Sequence, residues 1–413
     1  MKNRLAALAL PALLMVLAPF ANAQKVYPTV TGTGNASRYT LTMGLMTLQF
    51  GPKNSGRIHT LQYNGANILH MDTASATNYG STFWPSPQAV WSWPPPAALD
   101  GTAFPATVNA DSTVEMYGAS ETSKTNTRLR KKFWADLSDS SFNLRYTIVN
   151  VGAARPWSPW EDTRVDTGGV YLFPKGDGTI TGDLANKTKD TNSVIWYQHI
   201  AANVPTGSCA GGACKFYADG KEGWYAHVRP NRTVFIKKFS DSPLAKKAPS
   251  PENEIELYAT YAPITGADFV EMEAQGSYDT IKTNDSVSWD MKWYVRKLPD
   301  SISVTIGNVA LVNYIRGVIG VPTAINGRQA QASRAAVRLA NVGNDIRLNL
   351  EKAASVSLVV MDARGSVVQR LHSGNLEAGS HAFRLAPAAK GLYWVVLRDA
   401  RGKDLEVRSL PRL

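Results

Sequence analysis

Between residues 27 and 299 the chain is written almost entirely in short β-prone runs whose apolar residues recur at every second position, separated by Gly, Asn, Asp and Pro turns. Tyr39 to Phe50, Phe142 to Val151, Thr233 to Phe239, Glu254 to Tyr261, Phe269 to Gln275 and Ser286 to Arg296 are examples. Helical periodicity is nearly absent there. So many strands exceed a simple sandwich and predict an all-β fold of two large packed antiparallel sheets, a β supersandwich. The 32 Gly, 23 Pro, 11 Trp and 16 Tyr suit a turn-rich β protein that displays aromatics. With 44% hydrophobic and 19% charged residues, wholesale disorder and a polytopic membrane protein are both excluded.

The flanks read differently. Residues 1–23 place Lys2 and Arg4 before an apolar run from Leu5 to Phe20, then Ala21-Asn22-Ala23. This is the pattern of a cleaved secretory signal, and Pro11 and Pro19 argue against a membrane anchor. No other segment is apolar over a bilayer's width, so the expectation is a secreted or periplasmic protein without a membrane span. The domain of interest then covers 24–300. Residues 301–340 read as a last strand plus linker, since Ile302 to Ile319 is apolar and β-branched. From 341 to 413 alternation resumes in five or six strands, with turns at Asp362-Ala363-Arg364-Gly365 and Asp399-Ala400-Arg401-Gly402, which predicts a small immunoglobulin-like sandwich.

Several stretches could carry chemistry. Tyr79 to Asp100 gathers Trp84, Gln88, Trp91 and Trp93 among five prolines. Proline fixes the backbone and removes a donor, so the expectation is a stiff surface loop, not a central strand, holding indoles outward for a sugar ring to stack on. Plugging one end of the core is the structural alternative. In Arg155 to Pro174, Glu161, Asp162, Arg164 and Asp166 crowd beside Trp157 and Trp160. Asp162, Arg164 and Asp166 share one strand face and Glu161 takes the other, either as a polar site held by an Arg164–carboxylate network or as edge-strand charges in a salt bridge. In Ala267 to Tyr278, Phe269, Glu271, Glu273 and Gln275 line one face. Carboxylates at alternate positions lie about 7 Å apart and can serve as acid and base if their surroundings separate their pKa values. His199 and His227 are the histidines best placed for proton transfer. Cys209 and Cys214 are spaced for a small disulfide loop, which at that length stabilises modestly. A metal site would need further ligands that are not nearby, and neither a metal nor another cofactor is signalled by any motif.

Three passages taken together resemble a known superfamily. "SGRIHTLQYNGANIL" (Ser55 to Leu69) resembles the opening of galactose-mutarotase-like domains. The "STFWPSPQ…WSWPPP" segment, "PWEDTRVDTGGVYLFP" and "FVEMEAQG…SVSWDMKWYVRKLP" resemble an uncharacterised bacterial family of that aldose epimerase superfamily, over Tyr27 to Pro299. The resemblance implies a supersandwich with a sugar cleft on its concave face. It implies Arg57 as the early arginine and Glu271 or Glu273 as the carboxylate base. The family's histidine motif is missing, its place taken by "WEDTRVD", so the acid is unassigned. The tail, with "MDARGSVVQRL", "LEAGSHAFRL" and "KGLYWVVLRD", resembles C-terminal sandwich modules of secreted bacterial proteins, including sorting tags.

These readings converge on a secreted carbohydrate-active protein with a site built from Arg57, Trp84, Gln88, Trp91, Trp93, Trp160, Glu161, Arg164, Glu271 and Glu273, and His199 as acid. If it is an enzyme, it is a carbohydrate epimerase, lyase or hydrolase. The alternatives are a glycan-binding protein without turnover and an envelope structural protein. The formal charge of +11 suggests nucleic acid until it is apportioned. Residues 24–300 hold 27 basic and 26 acidic side chains, whereas 326–413 hold 14 and 7. The large domain is nearly neutral, nucleic acid loses its support, and the basic tail suits an envelope or secretion-machinery contact.

Overall fold

The strands of the large domain assemble into two antiparallel sheets. A computed structural model describes residues 25–71, 78–204, 214–260, 268–321, 337–342, 345–350, 352–362, 366–386, 391–399 and 404–412. The signal segment and Cys209 lie outside the described residues. The first sheet runs in the order Thr29–Thr31, Arg38–Met43, Met46–Phe50, Ile58–Tyr63, Ser81–Ser86, Arg155–Asp166, Phe269–Gln275, Ile255–Ala259, Lys215–Ala218. Two short strands, Ala66–Asn67 and Asp279–Ile281, add to it. The Asn64-Gly65 turn has φ of 50° and 78°, the left-handed pair that a tight hairpin needs and that Asn and Gly adopt most readily.

The second sheet runs Lys189–Thr191, Val194–Gln198, Val170–Pro174, Trp224–Val228, Thr233–Phe239, Ser286–Lys297, Ser141–Asn150, Thr127–Asp136, Val114–Tyr117, Ala106–Val108. Alternation decides what lies between the sheets. Leu48, Phe83, Val165 and Met272 of the first meet Phe133, Leu144, Phe235 and Trp293 of the second in one buried core.

Part of the second sheet is apolar on both faces. Leu172, Trp196, Trp224, Ala226, Val234 and Ile236 point away from the first sheet and form a separate core with Leu311, Val312, Ile315 and Ile319. This explains why Val170 to Phe173 and Trp224 to Val228 read as near-continuous apolar runs. The covering element corrects the expected last strand: Val309–Val318 is an α-helix. Asn308 caps it, its side chain accepting from the Ala310 and Leu311 N–H groups (2.9 and 3.4 Å). Leu311, Ile315 and Ile319 recur every fourth residue, a helical stripe that the β-branched composition obscures.

A second correction concerns Ser81–Ser86, a central strand and not a surface loop. Pro85 stands opposite Pro159 at a non-hydrogen-bonded position, so neither missing N–H donor falls between these two strands. Their carbonyls are used elsewhere, Pro85's by the Trp91 indole N–H (2.8 Å) and Pro159's by the Gly276 N–H (2.8 Å).

Strand Val337–Val342 already pairs with Asp345–Leu350, so the C-terminal region starts earlier than residue 341. Among the described residues it has seven strands. A three-stranded sheet runs Val337–Val342, Asp345–Leu350, Gly379–Arg384, and a four-stranded one runs Val367–Leu376, Ala354–Met361, Gly391–Asp399, Asp404–Arg412. They enclose their own core around Leu348, Leu358, Val360 and Leu397. No helix among the described residues is long and apolar enough to cross a membrane.

Candidate functional site

The face of the first sheet turned away from the second sheet carries most of the charged residues singled out above. Strand Arg155–Asp166 pairs with Phe269–Gln275 so that Asp162 lies opposite Glu273, Arg164 opposite Glu271 and Asp166 opposite Phe269. The next strand adds Glu256 opposite Glu273 and Tyr258 opposite Glu271, and the edge strand adds Lys215 opposite Tyr258. Because side chains alternate, one register brings all of them to one face.

Two ion-pair groups result. Arg164 Nη2 binds Asp162 Oδ2 at 2.6 Å and Glu271 Oε1 at 2.8 Å. Lys215 Nζ binds Glu256 Oε2 at 2.6 Å and Glu273 Oε2 at 2.8 Å. The Trp160 indole N–H also donates to Glu273 (2.9 Å), and Lys215 sits over the Trp160 ring at 5.3 Å. The side chain of Arg164 is 2% exposed and that of Glu271 16%, so Glu271 is the accessible member of its group. Burial pushes the Glu271 carboxyl up, the Asp162 charge adds to this, and Arg164 works against it. Burial likewise raises Glu256 and Glu273 against the pull of Lys215. Burial opposes the Arg164 charge, but Asp162 and Glu271 more than offset it and hold the guanidinium above its ordinary value.

Several buried polar atoms on this face have no hydrogen-bond partner among the described residues. They include Arg164 Nε and Nη1, Asp162 Oδ1, Glu273 Oε1, Gln275 Oε1, Trp84 Nε1 and Thr82 Oγ1. Donors and acceptors are mixed, the pattern that hydroxyl groups, which do both, can satisfy.

The tryptophans differ from expectation. Trp84, Trp91 and Trp160 are buried against one another, with ring centroids 5.3 to 6.2 Å apart. Only Trp93, 53% exposed and edge-on to Trp84, is held outward. Indoles this close bury more apolar area on each other than a loop could shield separately. Gln88 is half-buried, and its backbone N–H donates to Glu252 (2.6 Å).

Two further residues expected at the site are turned elsewhere. Arg57 is fully buried, bidentate to Asp100 (2.8 Å each) and donating to the Tyr79 carbonyl (2.8 Å). Glu161 points into the core between the sheets, where it pairs with Lys237. The odd-numbered side chains of its strand face inward, which is the register's doing and not a local distortion.

His199 follows a strand of the second sheet. Its Nδ1 accepts from the Gly168 N–H (3.1 Å), and burial lowers its pKa. His227 is fully buried and stacked on Tyr171 at 4.1 Å, with burial lowering its pKa to about 3. It stays neutral and is structural. His59, also buried, is lowered to about 3 by burial first and then by Arg38 and Arg57. Both groups take up protons in the unfolded chain near the ordinary value of 6.5, so stability present at neutral pH is lost as pH falls from 6.5 towards 3. His227→Phe is expected to make this fall shallower by up to one proton, read from urea midpoints between pH 7 and pH 4. An unchanged slope would count against it.

Sequence reasoning missed three residues. His70 lies beside the charged strand because its N–H donates to the Arg164 carbonyl (2.9 Å). Its Nδ1 is 3.4 Å from Asp166 Oδ1, Arg229 holds the other carboxylate oxygen at 2.9 Å, and its ring lies 5.3 Å from that of Phe269. Nothing local marks it, since the contact spans the chain from residue 70 to 166. Lys215 and Glu256 were also missed. "ENEIELY" repeats the Glu-x-Glu spacing of "VEMEAQ", and that repetition was the available signal. Cys214 is buried at the start of the edge strand. Its pairing with Cys209 remains an expectation.

No protein-family model matches the chain, and no curated protein matches it in sequence. Solved structures with similar backbones include a TPR-domain containing protein from Parabacteroides distasonis ATCC 8503, with TM-score 0.44 and 10% identity over 68% of this chain. The match spans 56% of that protein's length. Others are a galactose mutarotase-like protein from Clostridium acetobutylicum (TM-score 0.42, 11% identity, 66% of this chain and 99% of that one) and the galactose 1-epimerase from Lactobacillus acidophilus NCFM (TM-score 0.40, 10% identity, 66% and 99%).

Proposed function

We propose that the outer face of the first sheet binds a sugar over Glu271, against Trp93, and that Glu271 and His70 act there as base and acid. The observation that carries this reading is the Asp162–Arg164–Glu271 group, with unsatisfied donors and acceptors beside an exposed indole. Glu271 is preferred to Glu273 as the base because Glu273 is buried and held by both Lys215 and Trp160. Arg164 positions Glu271 and does not reach an anionic substrate, as its charge is already matched twice. His70 replaces His199 as the acid. Asp166 fixes the proton at Nδ1, leaving Nε2, which is buried without a partner among the described residues, as the atom that exchanges protons. The sequence resemblance to aldose epimerases supports a carbonyl or anomeric centre as the target, and the basic tail and signal pattern support an exported protein.

A panel of aldoses and neutral oligosaccharides tests the reading by calorimetry and, for the sugars bound, by polarimetry. Binding with accelerated anomer exchange or a new product is the expected result. Binding with no change in any sugar would leave a lectin-like role and remove the acid and base assignments. Failure to bind any sugar would overturn the reading.

A further inference from the structure

The charges on this face do not balance. Among the described residues Asp162, Asp166, Glu256, Glu271 and Glu273 are met by Arg164, Lys215 and Arg229, with His70 beside Asp166 as a further cation only when protonated. Each cation is already engaged, Arg164 and Lys215 by two carboxylates apiece. Nearby, Arg57 is cancelled by Asp100, and Glu252, bonded to Ser86, Gln88 and Gln275, adds a further acid without an ion-pair partner among those described. The remaining neighbours, Tyr217, Tyr258 and Phe269, carry no compensating charge.

A carboxylate excess in a poorly hydrated place costs free energy unless protons or a cation relieve it. Asp162 Oδ1 and Glu273 Oε1 are both unpartnered among the described residues, and both side chains are more than nine-tenths buried. These acceptors set a negative field over Glu271, the accessible carboxylate. The free N–H groups of Arg164 do not reverse that field. They suit neutral hydroxyl oxygens, since the guanidinium charge is spent on Asp162 and Glu271. Across Trp84, which lies 5.8 Å from the Arg164 guanidinium, Trp93 offers an exposed indole, whose π-face attracts cations as well as sugar C–H groups.

We propose that the sugar this face takes carries a free ammonium group: it is an amino sugar and not an N-acetylated, neutral or uronic one. This rests on the sugar-binding reading above. The ammonium lies against Glu271, within the field of Asp162 and Glu273, where a carboxylated sugar would meet like charge.

The test compares three oligosaccharides of one length on the full chain by calorimetry from pH 6, where the amine is protonated, up to pH 8, towards which the raised Glu271 carboxyl ionises. They are the fully deacetylated glucosamine trimer, its N-acetylated counterpart and trigalacturonate. The deacetylated trimer is expected to bind about tenfold or more tighter than the N-acetylated one, with trigalacturonate weakest. Glu271→Gln should shrink that preference at least about fivefold, and circular dichroism should confirm that the variant is folded. Equal or tighter binding of the N-acetylated trimer or of trigalacturonate overturns the proposal while leaving a sugar site in place. Absence of binding by all three and by the neutral panel overturns both readings. A preference that survives Glu271→Gln unchanged also overturns it, because the ammonium is then recognised elsewhere.

Discussion

Lys237→Met is expected to lower the unfolding free energy of the large domain by about 3–5 kcal/mol, which at this size shifts the melting midpoint by on the order of 10 °C. Glu161 and Lys237 come from opposite sheets and meet in the core with no exposed surface, Oε2 to Nζ at 2.5 Å. The remaining valences are filled: Ser81 Oγ (2.5 Å) and Thr163 Oγ1 donate to Oε1, and Lys237 also donates to the Met272 carbonyl. Burial lowers the Lys237 pKa and Glu161 pulls it back up, so the ammonium depends on this partner. Without the lysine a carboxylate remains in the apolar layer, and its desolvation is no longer offset. The double variant Glu161→Met, Lys237→Met should recover most of the loss, since a buried pair can be replaced by apolar residues of similar volume at little net cost. A loss below about 1 kcal/mol in Lys237→Met, measured by urea unfolding, would show that the pair does not hold the sheets together.

Turnover, on the substrate that the sugar panel identifies, should fall about 10²- to 10⁴-fold in Glu271→Gln, while binding stays within about tenfold. Glutamine keeps the shape and the hydrogen bond to Arg164 but cannot take a proton. The pH profile supplies the second half of the test. Burial and Asp162 hold the Glu271 carboxyl above its ordinary value, and a base works only when ionised. Activity of the native protein should therefore rise with pH along a limb displaced above the usual carboxylate range. That limb should vanish in Glu271→Gln and persist in Glu273→Gln, whose carboxyl serves Lys215 and Trp160. A profile flat through the acidic and neutral range would remove Glu271 from the chemistry.

The two-sheet fold was legible because it rests on period-two alternation, which every strand repeats locally. The same alternation separates Asp162, Arg164 and Asp166 from Glu161, but it does not say which set looks inward. That was decided by Lys237, some seventy residues further on and in the other sheet. Trp84 and Trp91 were misjudged because proline in a strand is usually excluded by its missing donor. Here Pro85 escapes that rule because it pairs with Pro159 at a non-hydrogen-bonded position, which is visible only once the register is known. His70 was illegible for the same reason, its value lying in a contact with Asp166 and not in its neighbours. The helix at Val309–Val318 could have been found. The Asn308 cap and the fourfold spacing of Leu311, Ile315 and Ile319 were present, and β-branched composition was allowed to outweigh them.

That helix also fixes where load enters the molecule. The chain passes from it at Val321 towards the C-terminal strands, and its apolar stripe rests on Trp196, Trp224 and Ile236 of the second sheet. A pull transmitted through the tail is thus taken first by the packing of one short helix on a sheet, on the side of the large domain opposite Arg164 and Glu271. The helix would peel before any strand carrying those residues was strained.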